Sequence, residues 1–137
     1  NLGRKGYNFG LKWQCVEFVK RYYSNYLHHN MPNSYGHAKD FFIKGLSKGN
    51  INKERNLKQY SNKEKTKPSV NDIIVFDGWS RNRYGHIAIV SEVKNKQIEI
   101  IQQNVGKRSR QKLKLKKKRD YWSIKDSRVL GWLRKEN

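Results

Sequence analysis

A single cysteine, Cys15, lies where a glycine-rich and aromatic opening gives way to a helical pattern. The opening covers residues 6–10, and the helical pattern begins at Trp13 and Gln14. At the N-terminal end of a helix, unpaired backbone N–H groups and the helix dipole favour a thiolate over a thiol. This position predicts a nucleophile, although a lone cysteine is also commonly a small buried hydrophobic residue. Both interpretations stay open on the cysteine alone.

A thiol nucleophile needs a base within hydrogen-bond reach and a third group that orients the base. His28 and His29 fall at the end of the first predicted helix, and His37 falls at a predicted helix start. His86 differs because it follows Gly85 and opens a strongly apolar segment, which places its ring at the rim of a sheet. We therefore predict His86 as the base, with an ordinary histidine at a sheet edge as the alternative.

Three consecutive amide side chains, Gln102, Gln103 and Asn104, follow the next apolar run. Because neighbouring strand residues point to opposite faces, Gln102 and Asn104 share one face. Either amide oxygen can accept a hydrogen bond from Nδ1–H of His86 and hold the imidazole in one tautomer. The predicted catalytic set is therefore Cys15, His86, Gln102 and Asn104.

Two helices and then several strands must position these residues. Apolar and aromatic residues recur at three- and four-residue spacing from Lys12 to His28, which predicts a first helix. A second helix is predicted from about residue 34 or 37 through Lys44. The polar stretch between Gly45 and Pro68 predicts an exposed irregular loop. Short runs of branched or aromatic residues then predict five strands, at residues 72–76, 86–93, 97–102, 112–116 and 129–133.

The charge balance of the chain is strongly basic. Its 137 residues include 31 Lys and Arg against 11 Asp and Glu, for a formal net charge of +20. This excess attracts polyanions such as nucleic acid, anionic membrane surfaces or cell-wall polymers. The densest basic run extends from Lys107 to Arg119. The length predicts one folded domain over residues 1–137.

Other features restrict the class of protein. One cysteine excludes an internal disulfide framework and a multi-cysteine metal site, and we expect neither a metal nor a cofactor. No stretch approaches the roughly 18 apolar residues that a membrane-spanning helix needs. Trp79, Tyr84 and Trp122 are candidates for lining a substrate groove, with a core role as the alternative. No oligomeric state follows from the sequence.

Four segments in order resemble the CHAP domains, which are cysteine, histidine-dependent amidohydrolases and peptidases. They are residues 13–21, 85–90, 102–105 and 130–132, and residues 72–76 resemble the strand that precedes the histidine segment. Among CHAP relatives, the sequences of these segments are most similar to those in the amidase half of glutathionylspermidine synthetase/amidase. The resemblance implies a papain-like α+β fold in which N-terminal helices pack on an antiparallel sheet.

The resemblance also implies a role for each candidate. Cys15 would be the nucleophile, and His86 the general base that then protonates the leaving amine. Gln102 stands where the family usually has a glutamate, and Asn104 stands where it has an asparagine. An amide can orient the imidazole without supplying charge. Gln14, with the backbone N–H of Cys15, is a candidate for stabilising the oxyanion.

Three functions fit these observations. The first is hydrolysis of an amide bond in peptidoglycan peptides, which the charge favours because wall polymers are anionic; such an enzyme would be secreted, periplasmic or wall-associated. The second is a cytoplasmic amidase for glutathionyl-polyamine conjugates. The third is a weakened or inactive domain that binds a polyanion through residues 107–119. Nucleic acid is not the expected partner, because no groove-reading motif is present.

Overall fold

The computed structural model describes residues 15–31, 38–46, 48–78, 84–104 and 107–135. Over these ranges the fold is one eight-stranded antiparallel sheet against which a helix, α1, packs through residues 15–26. A short 3₁₀-helix covers Ala38–Phe41. The strand bounds are β1 Asn50–Asn52, β2 Leu57–Ser61, β3 Ile73–Phe76, β4 His86–Val93, β5 Gln97–Asn104, β6 Lys107–Lys118, β7 Tyr121–Ile124 and β8 Val129–Arg134. Their order across the sheet is β1-β2-β8-β3-β4-β5-β6-β7.

The central strands of the sheet are buried on both faces. In β3 all four residues are buried, and alternate residues contribute to two different apolar clusters. Ile73 and Val75 belong to the first cluster, which contains the inward face of α1, whereas Ile74 and Phe76 belong to the second. This alternation follows from the two-residue period of a strand. It explains why β3 is a continuous apolar run and not an alternating one.

The sheet curls until the chain beyond β2 reaches β7. The backbones of Glu64 and Trp122 exchange two hydrogen bonds of 2.9 and 2.6 Å. The Asn62 side chain extends this contact, accepting a bond from Ile124 N–H at 2.8 Å and donating one to Ile124 O at 3.0 Å. The second cluster, with the fully buried Trp132 in it, therefore lies on the face around which the sheet curls.

The expectation of N-terminal helices packed on a sheet is wrong. Among the described residues α1 is the one α-helix, and the predicted second helix is only the 3₁₀-helix, its first predicted residues lying outside the described ranges. Backbone groups that an α-helix would use are bonded elsewhere. Lys39 N–H donates to Tyr84 O at 2.9 Å, and Ile43 N–H donates to the Gln59 side chain at 3.0 Å. The sheet, and not a helical layer, dominates the fold.

The prediction of an exposed irregular loop between residues 45 and 68 is also wrong, because this segment contains β1 and β2. Two of its polar residues, Gln59 and Asn52, are buried beside apolar ones. Gln59 is fully buried and donates through Nε2 to Ile43 O and Leu46 O, at 2.7 and 2.5 Å. Asn52, equally buried, donates to Phe41 O at 2.6 Å. Because the segment is polar, the sequence did not predict β1 and β2. It did not predict β7 either, whereas the five predicted strands are present.

Gly85 is needed at the turn that leads into β4. Its φ is +77°, and a Cβ built there would lie 2.5 Å from Phe76 O and 2.7 Å from Lys39 Cβ. Gly45 is a matched control, since its φ is +85° but nothing lies within 4 Å of its Cβ position. We expect Gly85→Ala to destabilise the fold by about 1–3 kcal/mol more than Gly45→Ala, because only Gly85 adds a clash to the backbone strain.

Chemical denaturation of the two variants measures this difference. Equal losses in the free energy of unfolding would contradict the tight approach of Gly85 to β3.

Candidate active site

Cys15 lies on the face of α1 that packs against the sheet. The side chain is buried, with 5% exposed, in the same cluster as Val16, Val19 and Ile87. Burial raises the pKa of the thiol, while the backbone N–H groups of Ile87, Val16 and Cys15 act on the sulfur in the opposite direction. The residues before Cys15 lie outside the described ranges, so its place in the first turn of the helix stays a prediction.

His86 is the first residue of β4, where the sequence predicted it. Its ring packs against Phe76 with 5.5 Å between the ring centroids. Burial lowers the pKa of His86, and the positive charge of Arg128 lowers it further, whereas the hydrogen bond to Gln102 raises it. The net direction is downward, so the neutral imidazole is the favoured form near neutral pH.

Gln102 is hydrogen-bonded to His86, but through Nε2 and not through the predicted Nδ1. Nε2 of His86 lies 2.7 Å from Oε1 of Gln102, so the expected bond from Nδ1–H is wrong. With the amide oxygen as acceptor, Nε2 carries the proton, and Nδ1 of the neutral ring keeps the lone pair. Nδ1 is therefore the nitrogen that can accept a proton.

Gln111 is the third member of a hydrogen-bonded chain from His86 through Gln102, and the sequence did not predict it. Gln102 is buried, with 8% exposed, and its Nε2 donates to Oε1 of Gln111 at 3.0 Å. The contact holds the Gln102 amide with its oxygen toward His86. Gln111 lies two residues along β6 from Ser109, the direct partner of Gln102. Only the register between β5 and β6 reveals this diagonal neighbour.

The structure joins His86 to Gln102 but places Cys15 on a different face of β4. Ile87 faces α1 in the first cluster, and Ala88 faces the second, so strand alternation puts the His86 ring on the side of the second cluster. The Cys15 sulfur meets the backbone N–H of Ile87, the residue after His86. In the described part of the chain no hydrogen bond joins Cys15 to His86. Catalytic hydrogen bonds often tighten only when substrate binds.

A family model for the CHAP domain matches residues 6–104, which is more than half of the 137-residue chain. The chain belongs to the CHAP domain family. The match confirms the resemblance found in the sequence, and it spans Cys15, His86, Gln102 and Asn104. A comparison with curated proteins returned no match. CHAP domains are associated with amidase and peptidase hydrolysis in a cell-wall context, and this coarse assignment holds here.

Two predicted site residues of this CHAP domain are not placed by the structure. The backbone of Asn104 pairs with Lys107 at the end of β5, but its side chain lies outside what the structure describes. Gln14 also lies outside the described ranges, as does Trp79. The roles of Asn104 and Gln14 therefore stay predictions.

Metal-binding clusters and membrane-spanning helices are absent from the described residues of this CHAP domain. No group of three or more His, Cys, Asp or Glu side chains within these ranges is arranged to hold a metal ion. In the same ranges, no helix has the length and apolar character to cross a membrane.

Proposed function

We propose that this CHAP domain is a cysteine amidase that hydrolyses an amide bond in peptidoglycan peptides. The observation that carries the proposal is the 2.7 Å bond from Nε2 of His86 to Gln102, made at the strand end against which the Cys15 helix packs. An oriented imidazole and a thiol are the two groups that cysteine catalysis uses. Family membership supports the same reaction class.

In the proposed reaction the Cys15 sulfur attacks the carbonyl carbon of the amide, and the thiol proton passes to Nδ1 of His86. The C–N bond then breaks, His86 gives this proton to the leaving amine, and the acyl group stays on Cys15 as a thioester. Water attacks the thioester with His86 as base, which releases the carboxylic acid and restores the thiol. The thiol and Nδ1 must meet at the start of β4 when substrate binds.

The tetrahedral intermediate carries a negative charge that needs donors about 3 Å away. We assign this role to the backbone N–H of Cys15 together with the Gln14 side chain. Gln102 acts through His86: it fixes the tautomer and leaves the ring neutral, since an amide supplies no charge to stabilise an imidazolium.

Charge favours a wall substrate over a polyamine conjugate. The formal net charge is +20, and the field of Arg128 reaches His86 itself, where it lowers the pKa of the ring. A polyamine tail is cationic and is repelled by such surroundings, whereas anionic wall polymers are attracted.

The test is incubation with purified peptidoglycan and, separately, with glutathionylspermidine, followed by mass spectrometry of the products. We expect new amine and carboxyl ends in peptidoglycan peptides and no cleavage of glutathionylspermidine. Cleavage of the conjugate alone would replace the proposed substrate. Cleavage of neither, in a folded protein that still binds polyanions, would mean an inactive binding module.

A further inference from the structure

A cationic groove lies at the end of the sheet opposite to His86. Its volume is about 970 Å³, and it is lined by Trp122 and by lysines from several segments, namely Lys67, Lys96, Lys114, Lys116, Lys117 and Lys125. Strands β4 and β5 run between the two places: His86 begins β4 and Gln102 lies near the end of β5, whereas Lys96 lies in the turn that joins them. Eight residues of strand separate the groove from His86 by roughly 25 Å.

Tertiary contacts, and not one basic run, assemble the groove. Lys125 N–H donates to Lys114 O at 2.8 Å, and Leu115 N–H donates to Lys96 O at 2.9 Å. These bonds bring the β4–β5 turn and the chain after β7 to the two sides of β6. Half of the six lysines therefore lie outside the run from Lys107 to Arg119 that the sequence singled out.

The groove concentrates positive charge without local compensation. The four ion pairs found in the described ranges are Arg21–Glu17, Arg110–Glu99, Arg128–Asp126 and Arg134–Asp72. None of them involves a groove lysine, and no acidic residue lines the groove. Like charges held together repel one another, and an anionic ligand relieves this repulsion. The groove is therefore complementary to a polyanion.

Trp122 indicates which polyanion fits best. The ammonium groups of Lys67 and Lys117 lie 4.6 and 5.4 Å from its ring centroid, so the indole holds cations through its π-face. Proteins that bind single-stranded nucleic acid instead leave aromatic faces free for base stacking. The geometry favours a ligand with repeating phosphates and no bases.

We propose that this groove binds the phosphodiester backbone of a linear polyol-phosphate polymer, as a second site separate from Cys15 and His86. The polymer spans the lysines of β6 and of the segments beside it, while Trp122 keeps two of the ammonium groups in place. Such a site would hold the domain on an anionic polymer without occupying the candidate active site.

The test compares two triple variants of equal charge. The groove variant is Lys114→Gln/Lys116→Gln/Lys125→Gln. The control is Lys44→Gln/Lys53→Gln/Lys58→Gln, near the sheet edge that is formed by β1 and β2. Binding to poly(glycerol phosphate) is measured by titration at several salt concentrations. We expect the groove variant to bind at least tenfold more weakly with a shallower salt dependence, and the control to change less than twofold. Equal weakening would show diffuse attraction by net charge and overturn the site.

A second measurement uses the unmodified protein. Bound poly(glycerol phosphate) should protect Lys114, Lys116 and Lys125 from acetylation, read by mass spectrometry, more than Lys44 and Lys53. Even protection over the surface would overturn the proposal. Tighter binding of single-stranded DNA than of poly(glycerol phosphate) at equal phosphate number would overturn the ligand class. None of these readouts depends on amide hydrolysis, so they test the groove independently of the proposed enzyme activity.

Discussion

Replacing Cys15 by alanine is expected to abolish hydrolysis of peptidoglycan, with a loss of roughly 10⁴-fold or more in turnover, because the proposed acyl intermediate forms on the Cys15 sulfur. The folded state should survive. The substitution removes one sulfur from a side chain that is 5% exposed, at a cost of about 1 kcal/mol. Mass spectrometry of the released peptides measures turnover, and thermal unfolding followed by circular dichroism measures stability.

Cys15→Ser is the matched variant, since it keeps the shape of the side chain and replaces the thiol by a far weaker nucleophile. It should lose most of the activity as well. Turnover by Cys15→Ala within tenfold of the unmodified protein would remove Cys15 from the mechanism and restore the interpretation of a buried structural cysteine.

Replacing Gln102 by glutamate is expected to preserve or raise hydrolysis of peptidoglycan at pH 7. A carboxylate would lie beside Nε2 of His86, where Oε1 of Gln102 is now 2.7 Å away. It raises the pKa of His86, opposite to the effects of burial and Arg128, and so favours the thiolate–imidazolium pair over the neutral pair. The Gln111 amide can turn its NH₂ toward the new carboxylate, so the buried charge keeps a second partner.

The sign of the pH dependence follows from these shifts. In the unmodified protein the pKa of His86 is lowered and the pKa of Cys15 is raised, so the thiol reacts with iodoacetamide mainly at alkaline pH. In Gln102→Glu the higher pKa of His86 gives a larger share of thiolate at neutral pH once substrate brings the Cys15 thiol to Nδ1. We expect turnover of peptidoglycan at pH 7 to stay unchanged or to rise by up to about tenfold, which corresponds to one charge-assisted hydrogen bond of about 1.4 kcal/mol.

Gln111→Glu is the control for Gln102→Glu, because it adds the same charge one hydrogen bond further from His86 on an exposed residue. It should change turnover of peptidoglycan much less. NMR titration of the His86 ring reads the pKa directly in both variants. A large loss of hydrolysis in a folded Gln102→Glu variant would mean that Gln102 does not orient His86 in catalysis.

Much of the strand pattern was predictable because it is local. The segments that became β3, β4 and β8 are short apolar runs, and any sheet that buries both faces requires such runs. β1 and β2 were not predictable in the same way. Asn52 and Gln59 are polar in the sequence but buried in the fold, where they satisfy backbone groups of the Phe41–Leu46 segment. Their partners lie 11 to 16 positions away in the chain, and no local pattern reveals such pairs.

The sequence by itself determined the candidates for the reacting groups, the strand that His86 opens and the excess of positive charge, since residue type and short-range periodicity suffice for these. Only the tertiary structure decided that Nε2 bonds Gln102, that Gln111 stands behind it, and that Lys67, Lys96 and Lys125 join the lysines of β6 in one groove. These facts depend on strand register and on the curl of the sheet. Both are set by packing between segments distant in the chain, where a shift of one residue turns every side chain to the other face.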